Sequence, residues 1–212
     1  MKKILGLICA VSLISWTLII TEQGSSSIAI GTEAPEADYK MKDVSGKMMS
    51  LNDLKGSKGL LVIFSCNTCP FVVGGEGLGE GWQDRYNGIQ EVCNSNTVGM
   101  VLVNSNEGKR SGDDSYENMV KHAKEQAYIS NYVLDKDSKL ANAFGAKTTP
   151  HVFLFDKDLK LVYKGAIDDS NKSADEVKEH WLKNALNALG SGNTIDPSET
   201  RNKGCSIKRV KK

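Results

Sequence analysis

A pattern typical of a buried strand, ending at two cysteines, is the feature that most constrains the fold of this chain. Residues 59–65 read GLLVIFS, an apolar run of strand length, and Cys66 and Cys69 follow with two residues between them. A run that is apolar on both faces is typical of a central strand covered on both sides by helices. The sequence therefore predicts an α/β sheet with both cysteines at the carboxyl end of a central strand, where ligands and chemistry collect.

The position of the cysteines favours redox chemistry. Pro70 suits the first turn of a helix, because its missing N–H costs nothing there. Free backbone N–H groups and the positive end of the helix dipole favour thiolate over thiol at that place. We expect Cys66 to be the exposed nucleophile of lowered pKa and Cys69 to resolve the mixed disulfide. An inert structural disulfide is the alternative, although a bond across so short a loop adds little stabilisation.

The first 24 residues have the pattern of an export segment. Lys2 and Lys3 precede an apolar run from Ile4 to Ile20. This run is long for a cleaved signal and short for a spanning helix, so residues 1–24 are either a signal peptide or a retained membrane anchor, with residues 4–20 as the tether. In both cases the remaining chain lies outside the cytoplasmic membrane, in the periplasm or anchored facing it.

Length and charge limit the rest of the chain to one medium-sized domain with short extensions. The 212 residues carry a formal net charge of +1, and 40% are hydrophobic, which is enough for a sizeable core. No cluster of basic and aromatic residues indicates a nucleic-acid partner.

An exported compartment permits disulfides. We expect Cys93 to be a plain buried thiol, with a Cys93–Cys205 disulfide as the alternative.

A threonine and a proline precede a second apolar strand. Residues 149–155 read TPHVFLF, and proline is tolerated at the first position of a strand. Cis peptide bonds are nearly confined to bonds before proline, so the bond between Thr149 and Pro150 is a candidate for the cis form. The Thr149 backbone would then face the Cys66 sulfur and hold an extended substrate strand.

Periodicity and turn residues predict the other elements. Glycines at positions 74–81 predict an interruption in the helix that follows Pro70, because each glycine costs up to about 1 kcal/mol relative to alanine. Asp113 or Asp114 is expected to cap the helix over 115–127. The remaining expected elements are a strand near 39–42, a helical turn at 50–54, a renewed helix over 82–93, strands at 98–103 and 132–134, a helix over 138–144, a hairpin of 151–155 with 161–165, and a helix over 173–189.

These motifs together resemble the thioredoxin fold, and more closely the peroxiredoxin-like branch of the AhpC/TSA and redoxin group that carries a Cys-x-x-Cys-Pro motif. The matching segments are 64–72, 104–106, 163–169 and 204–208. The resemblance implies an α/β, thioredoxin-like fold, with a central mixed β-sheet flanked by helices on both faces. It implies a redoxin domain over 28–190, a basic tail over 191–212 that contains Cys205, and no cofactor.

The resemblance implies thiol–disulfide exchange through Cys66 and Cys69 on protein or small-molecule disulfides, with Thr149 and Pro150 binding the substrate. The expected partners are a disulfide substrate and an upstream thiol donor or acceptor. Cys205 could be a third redox cysteine that folds back to the site or passes electrons to a partner. Two departures from thioredoxin are noted: Ser65 replaces the tryptophan before the first cysteine, and Leu60 replaces a buried acid.

Two alternatives stay open. One is a peroxiredoxin-like thiol peroxidase with antioxidant activity, which needs hydrogen-bond donors around the thiolate and the leaving oxygen. The other is a copper carrier, because Cys66, Cys69 and His151 resemble the ligands of Sco-type carriers and thiolates suit Cu(I). Those carriers have three residues between the cysteines, whereas this chain has two. We therefore expect no bound metal.

Overall fold

The computed structural model of the protein describes residues 27–210. Its strands are β1 (Met41–Asp43), β2 (Met48–Met49), β3 (Gly59–Ser65), β4 (Val98–Asn104), β5 (Asn131–Leu134), β6 (Thr148–Thr149), β7 (His151–Asp156), β8 (Leu161–Gly165) and β9 (Cys205–Ser206). Its helices are α1 (Leu51–Leu54), α2 (Pro70–Val73), α3 (Tyr86–Ser95), α4 (Tyr116–Glu125), α5 (Lys139–Phe144) and α6 (Trp181–Ser191).

Seven strands form one mixed sheet in the order β2-β1-β5-β4-β3-β7-β8. Strands β3, β4 and β5 run parallel to one another, β7 pairs antiparallel with β3, and β8 pairs antiparallel with β7. Strands β6 and β9 pair separately as a two-stranded antiparallel ribbon. The predicted thioredoxin-like α/β fold with a central mixed sheet is confirmed.

Alternate side chains of β3 pack into two separate cores. Leu61 and Ile63 lie in the core that also contains buried residues of α3, α4 and α6. Leu60, Val62 and Phe64 lie in the core on the opposite face, with buried residues of α1 and α5. All seven residues of β3 are buried. The apolar run of the sequence is therefore a central strand covered on both faces, as predicted.

The helix after Pro70 is interrupted where the glycines occur. Helix α2 has only four residues, and regular α-helix begins again at Tyr86 after a loop and a short 3-10 turn. Gly74 and Gly81 have φ values of 77° and 75°, and a Cβ at either would clash with the backbone of the other arm of this loop. Only glycine fits both the conformation and the close approach.

The last helix begins later than the sequence suggests. A 3-10 turn spans 174–176, and α6 begins at Trp181. The carboxylate of Asp169 accepts hydrogen bonds from the backbone N–H groups of Lys178 and Glu179, at 3.0 and 3.2 Å. A distant side chain therefore satisfies donors that would otherwise enter helical turns.

The cap of α4 also differs from the prediction. The Ser115 hydroxyl accepts a hydrogen bond from the Asn118 N–H at 3.2 Å, so Ser115 is the N-cap rather than Asp113 or Asp114. No helix within residues 27–210 is long and apolar enough to cross a membrane. The signal or anchor expected at residues 1–24 lies outside the described residues.

Candidate functional site

The carboxyl end of β3 brings the two cysteines against Thr149. Cys66 directly follows β3, and Cys69 is the N-cap of α2. The Cys66 sulfur lies 3.2 Å from the Thr149 hydroxyl oxygen, and the Cys69 sulfur lies 3.0 Å from the Thr149 carbonyl oxygen. The bond between Thr149 and Pro150 is cis. The structure therefore assembles in one place all four residues that the sequence proposed for the exchange site.

The expectation that Cys66 is exposed is wrong. Cys66 is 1% exposed and Cys69 is 4% exposed. The reason is that α2 begins at Pro70, so the helix N-terminus belongs to Cys69, while Cys66 still lies at the end of the buried strand and packs in the core. Sequence alone could not locate the first residue of so short a helix.

The two sulfurs ionise as a coupled pair. The hydrogen bond from Cys66 lowers the pKa of Cys69 to about 5, with support from the thiol and backbone N–H of Cys205 and against the effect of burial. The same bond, together with burial, raises the pKa of Cys66 well above its usual value. The expected lowered pKa therefore belongs to Cys69 and not to Cys66. When it is protonated, Cys69 donates a hydrogen bond to the Thr149 carbonyl at 3.0 Å.

A buried carboxylate holds the turn between the cysteines. Asp114 is fully buried, and its Oδ1 accepts hydrogen bonds from the Asn67 backbone N–H at 2.9 Å and from the Asn104 side chain at 2.7 Å. Its Oδ2 accepts from the Asn106 side chain at 3.0 Å. The Tyr132 hydroxyl donates to the Asn67 side chain at 2.9 Å. The conformation of the Cys-x-x-Cys turn is thus tied to the ends of β4 and β5.

Sequence reasoning missed the function of Asp114. It treated this residue only as a helix cap, although Asn104 and Asn106 at the end of β4 offered a signal. Because β3 and β4 are parallel and pair in register, with Ser65 opposite Asn104, polar residues after β4 lie beside the cysteines that follow β3.

Cys205 is brought to the same site by the C-terminal segment. Strand β9 places Cys205 opposite Thr149, and the half-buried Cys205 thiol contacts Cys69. Burial, and then the contact with Cys69, raises the pKa of Cys205 to about 11. The nearby Phe71 backbone N–H opposes this rise in the pKa of Cys205. Three cysteines therefore meet at this edge of the molecule.

Cys93 lies apart from that group. It is fully buried on α3, and burial raises the pKa of its thiol to about 12. The four cysteines within residues 27–210 are free thiols. The prediction of a plain buried thiol is confirmed, and no Cys93–Cys205 disulfide is present.

His151 does not complete a metal site. Burial, followed by the charges of Lys164 and Lys147, lowers the pKa of His151 to about 4. Across residues 27–210, no group of three or more histidine, cysteine, aspartate or glutamate side chains is placed to hold a metal ion. The copper-carrier alternative therefore has no ligand set in this part of the chain.

Comparisons with known proteins agree with the fold. A sequence profile described as Redoxin matches residues 29–180. An uncharacterized conserved protein from Geobacillus kaustophilus has a similar solved structure, with 32% identity, a TM-score of 0.77, and coverage of 87% of this chain and 94% of that chain. A hypothetical protein from Sinorhizobium meliloti 1021 has 28% identity, a TM-score of 0.77, and coverage of 88% and 98%.

A more distant match is the thioredoxin domain of a thiol-disulfide oxidoreductase from Bacteroides vulgatus. It shares 25% identity, with a TM-score of 0.50 and coverage of 66% of this chain and 90% of that chain. No curated protein matches the chain.

Proposed function

The chain belongs to the Redoxin family, and on that premise we propose that it is a thiol–disulfide oxidoreductase whose redox-active pair is Cys66 and Cys69. The observation that supports the pair most is the contact between its sulfurs. The Cys69 N–H lies 3.2 Å from the Cys66 sulfur, and the hydrogen bond between the thiols lowers the pKa of Cys69 to about 5. One sulfur is then ionised at neutral pH while its neighbour keeps a proton.

The exchange follows from this division of charge. The Cys69 thiolate attacks one sulfur of a substrate disulfide, and the other substrate sulfur leaves as a thiolate. Cys66 then loses its proton and attacks the Cys69 sulfur, which breaks the mixed disulfide and forms the Cys66–Cys69 bond. The released substrate sulfur takes up that proton. Two electrons pass from the protein to the substrate, and the reverse sequence oxidises a dithiol.

The substrate strand is assigned to the edge formed by Thr149 and Pro150. The carbonyl and hydroxyl oxygens of Thr149 lie 3.0 and 3.2 Å from the two sulfurs, so a strand paired with Thr149 would bring its own sulfur close to the pair. Main-chain pairing of this kind gives affinity without demanding one particular sequence. Disulfides in proteins are therefore the substrate class that fits best.

The test is trapping with 5,5′-dithiobis(2-nitrobenzoate), a small-molecule disulfide. The reduced chain carrying Cys66→Ser and Cys205→Ser should release one thionitrobenzoate and keep the other on Cys69. The matched variant with Cys69→Ser and Cys205→Ser should react far more slowly, because Cys66 is more buried and its pKa is raised. Capture by the second variant alone would reverse the two roles, and capture by neither would contradict the exchange.

The peroxidase alternative can be distinguished from disulfide exchange by comparing two reaction rates of the same reduced protein. The groups that donate hydrogen bonds to the sulfurs here are the backbone N–H groups of Cys69 and Cys205, the Thr149 hydroxyl and other thiols. Peroxide cleavage needs donors aimed at the leaving oxygen as well as a thiolate. We expect the reduced chain to react faster with the aromatic disulfide than with an equal concentration of hydrogen peroxide. The opposite order would favour the peroxidase.

The protein is further proposed to act outside the cytoplasmic membrane, with a disulfide substrate and an upstream thiol donor or acceptor as partners. The support is the basic and then apolar pattern of residues 1–24. Fractionation of cells, followed by mass analysis of the N-terminus, separates a cleaved signal from a retained anchor. Recovery of the full chain with the cytoplasmic proteins would contradict the proposal.

A further inference from the structure

The C-terminal segment occupies the edge that the proposed function assigns to the substrate. Residues 204–209, called the docked tail below, include β9, which pairs antiparallel with β6 so that Cys205 lies opposite Thr149. The pairing continues beyond β9, because the Ile207 N–H donates to the Lys147 carbonyl at 2.9 Å. The tail therefore lies where an incoming strand would lie.

The docked tail fits its surroundings closely. A Cβ at Gly204 would clash with the Thr149 carbonyl and the Pro150 nitrogen, so only glycine allows the tail this near to the active-site backbone. The Ile207 side chain is buried in the core on the face of α1 and α5. The Gly108 N–H donates to the Lys208 carbonyl at 2.6 Å. Apolar burial, backbone pairing and the absence of a side chain at Gly204 together fix the position of Cys205.

Of the two cysteines in the proposed redox pair, Cys69 is the one that lies beside Cys205. Cys205 lies opposite Thr149, whose carbonyl oxygen is 3.0 Å from the Cys69 sulfur, and the Cys205 thiol and backbone N–H help to lower the pKa of Cys69, whereas Cys66 lies deeper in the core. Cys205 is half-buried, so it lies between the enclosed pair and solvent. This is the position that a cysteine of a bound substrate strand would occupy.

We propose that the docked tail is an intramolecular substrate strand, and that Cys205 is a third redox-active cysteine which forms a disulfide with Cys69. The inference rests on the proposed function, because it needs an oxidised Cys66–Cys69 pair as its starting point. The pairing of Cys205 with Thr149 and its contact with Cys69 carry it.

The step is an internal exchange that needs no outside reagent. In the oxidised pair, the Cys205 thiol loses its proton and its sulfur attacks the Cys69 sulfur. The Cys69–Cys205 bond forms as the Cys66–Cys69 bond breaks, and Cys66 leaves as a thiolate that takes up the proton. The number of disulfides is unchanged. The disulfide has moved from a sealed position to one that a dithiol partner can reach from solvent.

The experiment uses the full chain with oxidised glutathione, followed by acid quenching and peptide mapping without reduction. In the Cys66→Ser variant, Cys69 should take up glutathione and Cys205 should displace it, which leaves a Cys69–Cys205 disulfide. In the variant with Cys66→Ser and Cys205→Ser, glutathione should stay on Cys69. Stable glutathione on Cys69 in the first variant would overturn the inference while leaving the proposed function intact.

Two further variants test whether the rate of Cys69–Cys205 formation depends on the position of the docked tail or only on the presence of Cys205. Val210→Ala changes an exposed side chain just beyond the docked tail, and in the Cys66→Ser background it should leave the rate of Cys69–Cys205 formation unchanged. Gly204→Val in the same background keeps Cys205 but displaces the tail, so the rate should fall on the order of tenfold. An equal rate for Gly204→Val would overturn the docked tail as the cause. Failure of Cys69 to take up glutathione in any variant would contradict the proposed function itself.

Discussion

Asp114 is the residue through which the rest of the molecule holds the Cys-x-x-Cys turn. A buried carboxylate with three hydrogen-bond donors fixes the Asn67 backbone and thereby the spacing of the two sulfurs. Its negative charge also adds to the raised pKa of Cys66. The chain thus has a buried acid beside its proposed redox pair, although the acid comes from the loop before α4 and not from the strand that precedes the cysteines.

Replacement of Asp114 tests this role. Asp114→Ala leaves the Asn67 N–H and the side chains of Asn104 and Asn106 without their acceptor, so we expect the free energy of unfolding to fall by about 3 kcal/mol. Urea denaturation measures the change. Asp113→Ala is the matched control, because the Asp113 side chain is exposed and makes only a long ion pair, so it should change stability by less than about 0.5 kcal/mol. Equal effects of the two variants would contradict the role of Asp114.

The lowered pKa of Cys69 predicts a specific pH dependence for the rate at which this residue is alkylated. Thiolate reacts and thiol does not, so alkylation of Cys69 should be level above about pH 6 and fall about tenfold for each pH unit below its pKa of about 5. Cys205→Ala removes the thiol donor that helps to lower the pKa of Cys69, which should move the profile to higher pH. Iodoacetamide labelling with peptide mapping measures both profiles. A Cys69 rate that keeps rising through pH 8 would contradict the lowered pKa.

At the scale of elements, the pairing of β6 with β9 decides whether the site is closed. Both cysteines of the pair are almost inaccessible, and the docked tail covers the edge beside Thr149. Local opening of this short strand would uncover the edge. The tail is therefore the element that an incoming substrate strand would have to displace.

Removal of the tail should open the pair. A chain that ends at residue 203 lacks β9 and the buried Ile207, and alkylation of Cys69 should be faster by about tenfold or more. The matched control ends at residue 210, which keeps every residue of the docked tail and should react like the full chain. An unchanged rate in the shorter chain would mean that another element covers the pair. Thermal unfolding of both chains verifies that each remains folded.

Sequence reasoning predicted the elements whose signals are local. Patterns only a few residues long are enough to predict three features. These are the strand before Cys66, the interruption of the following helix at its glycines, and the Thr149–Pro150 motif. The start of α6 could not be predicted, because it depends on Asp169, which binds backbone N–H groups well beyond its own turn. Docking of the tail likewise depends on partners remote in sequence.

For the whole molecule, the fold could be predicted from the sequence more fully than the candidate site. One sheet with a core on each face is required by the two-sided apolar pattern of β3, so the architecture was predictable. The site combines the end of β3, the loop before α4, β6 and the tail, and only packing shows which sulfur meets which donor. For this reason the sequence predicted that Cys66, Cys69, Thr149 and Pro150 lie together, while the burial of Cys66 and the lowered pKa of Cys69 were not predicted.

The central claim is that Cys66 and Cys69 are a reversible redox pair. The most direct measurement equilibrates the full chain with dithiothreitol at graded ratios of its reduced and oxidised forms, blocks free thiols in acid and maps the disulfides. We predict one reversible two-electron transition in which a disulfide joins Cys69 to Cys66, or to Cys205 after internal exchange, while Cys93 stays free at every ratio. Cys66 and Cys69 that remain thiols throughout would contradict the claim.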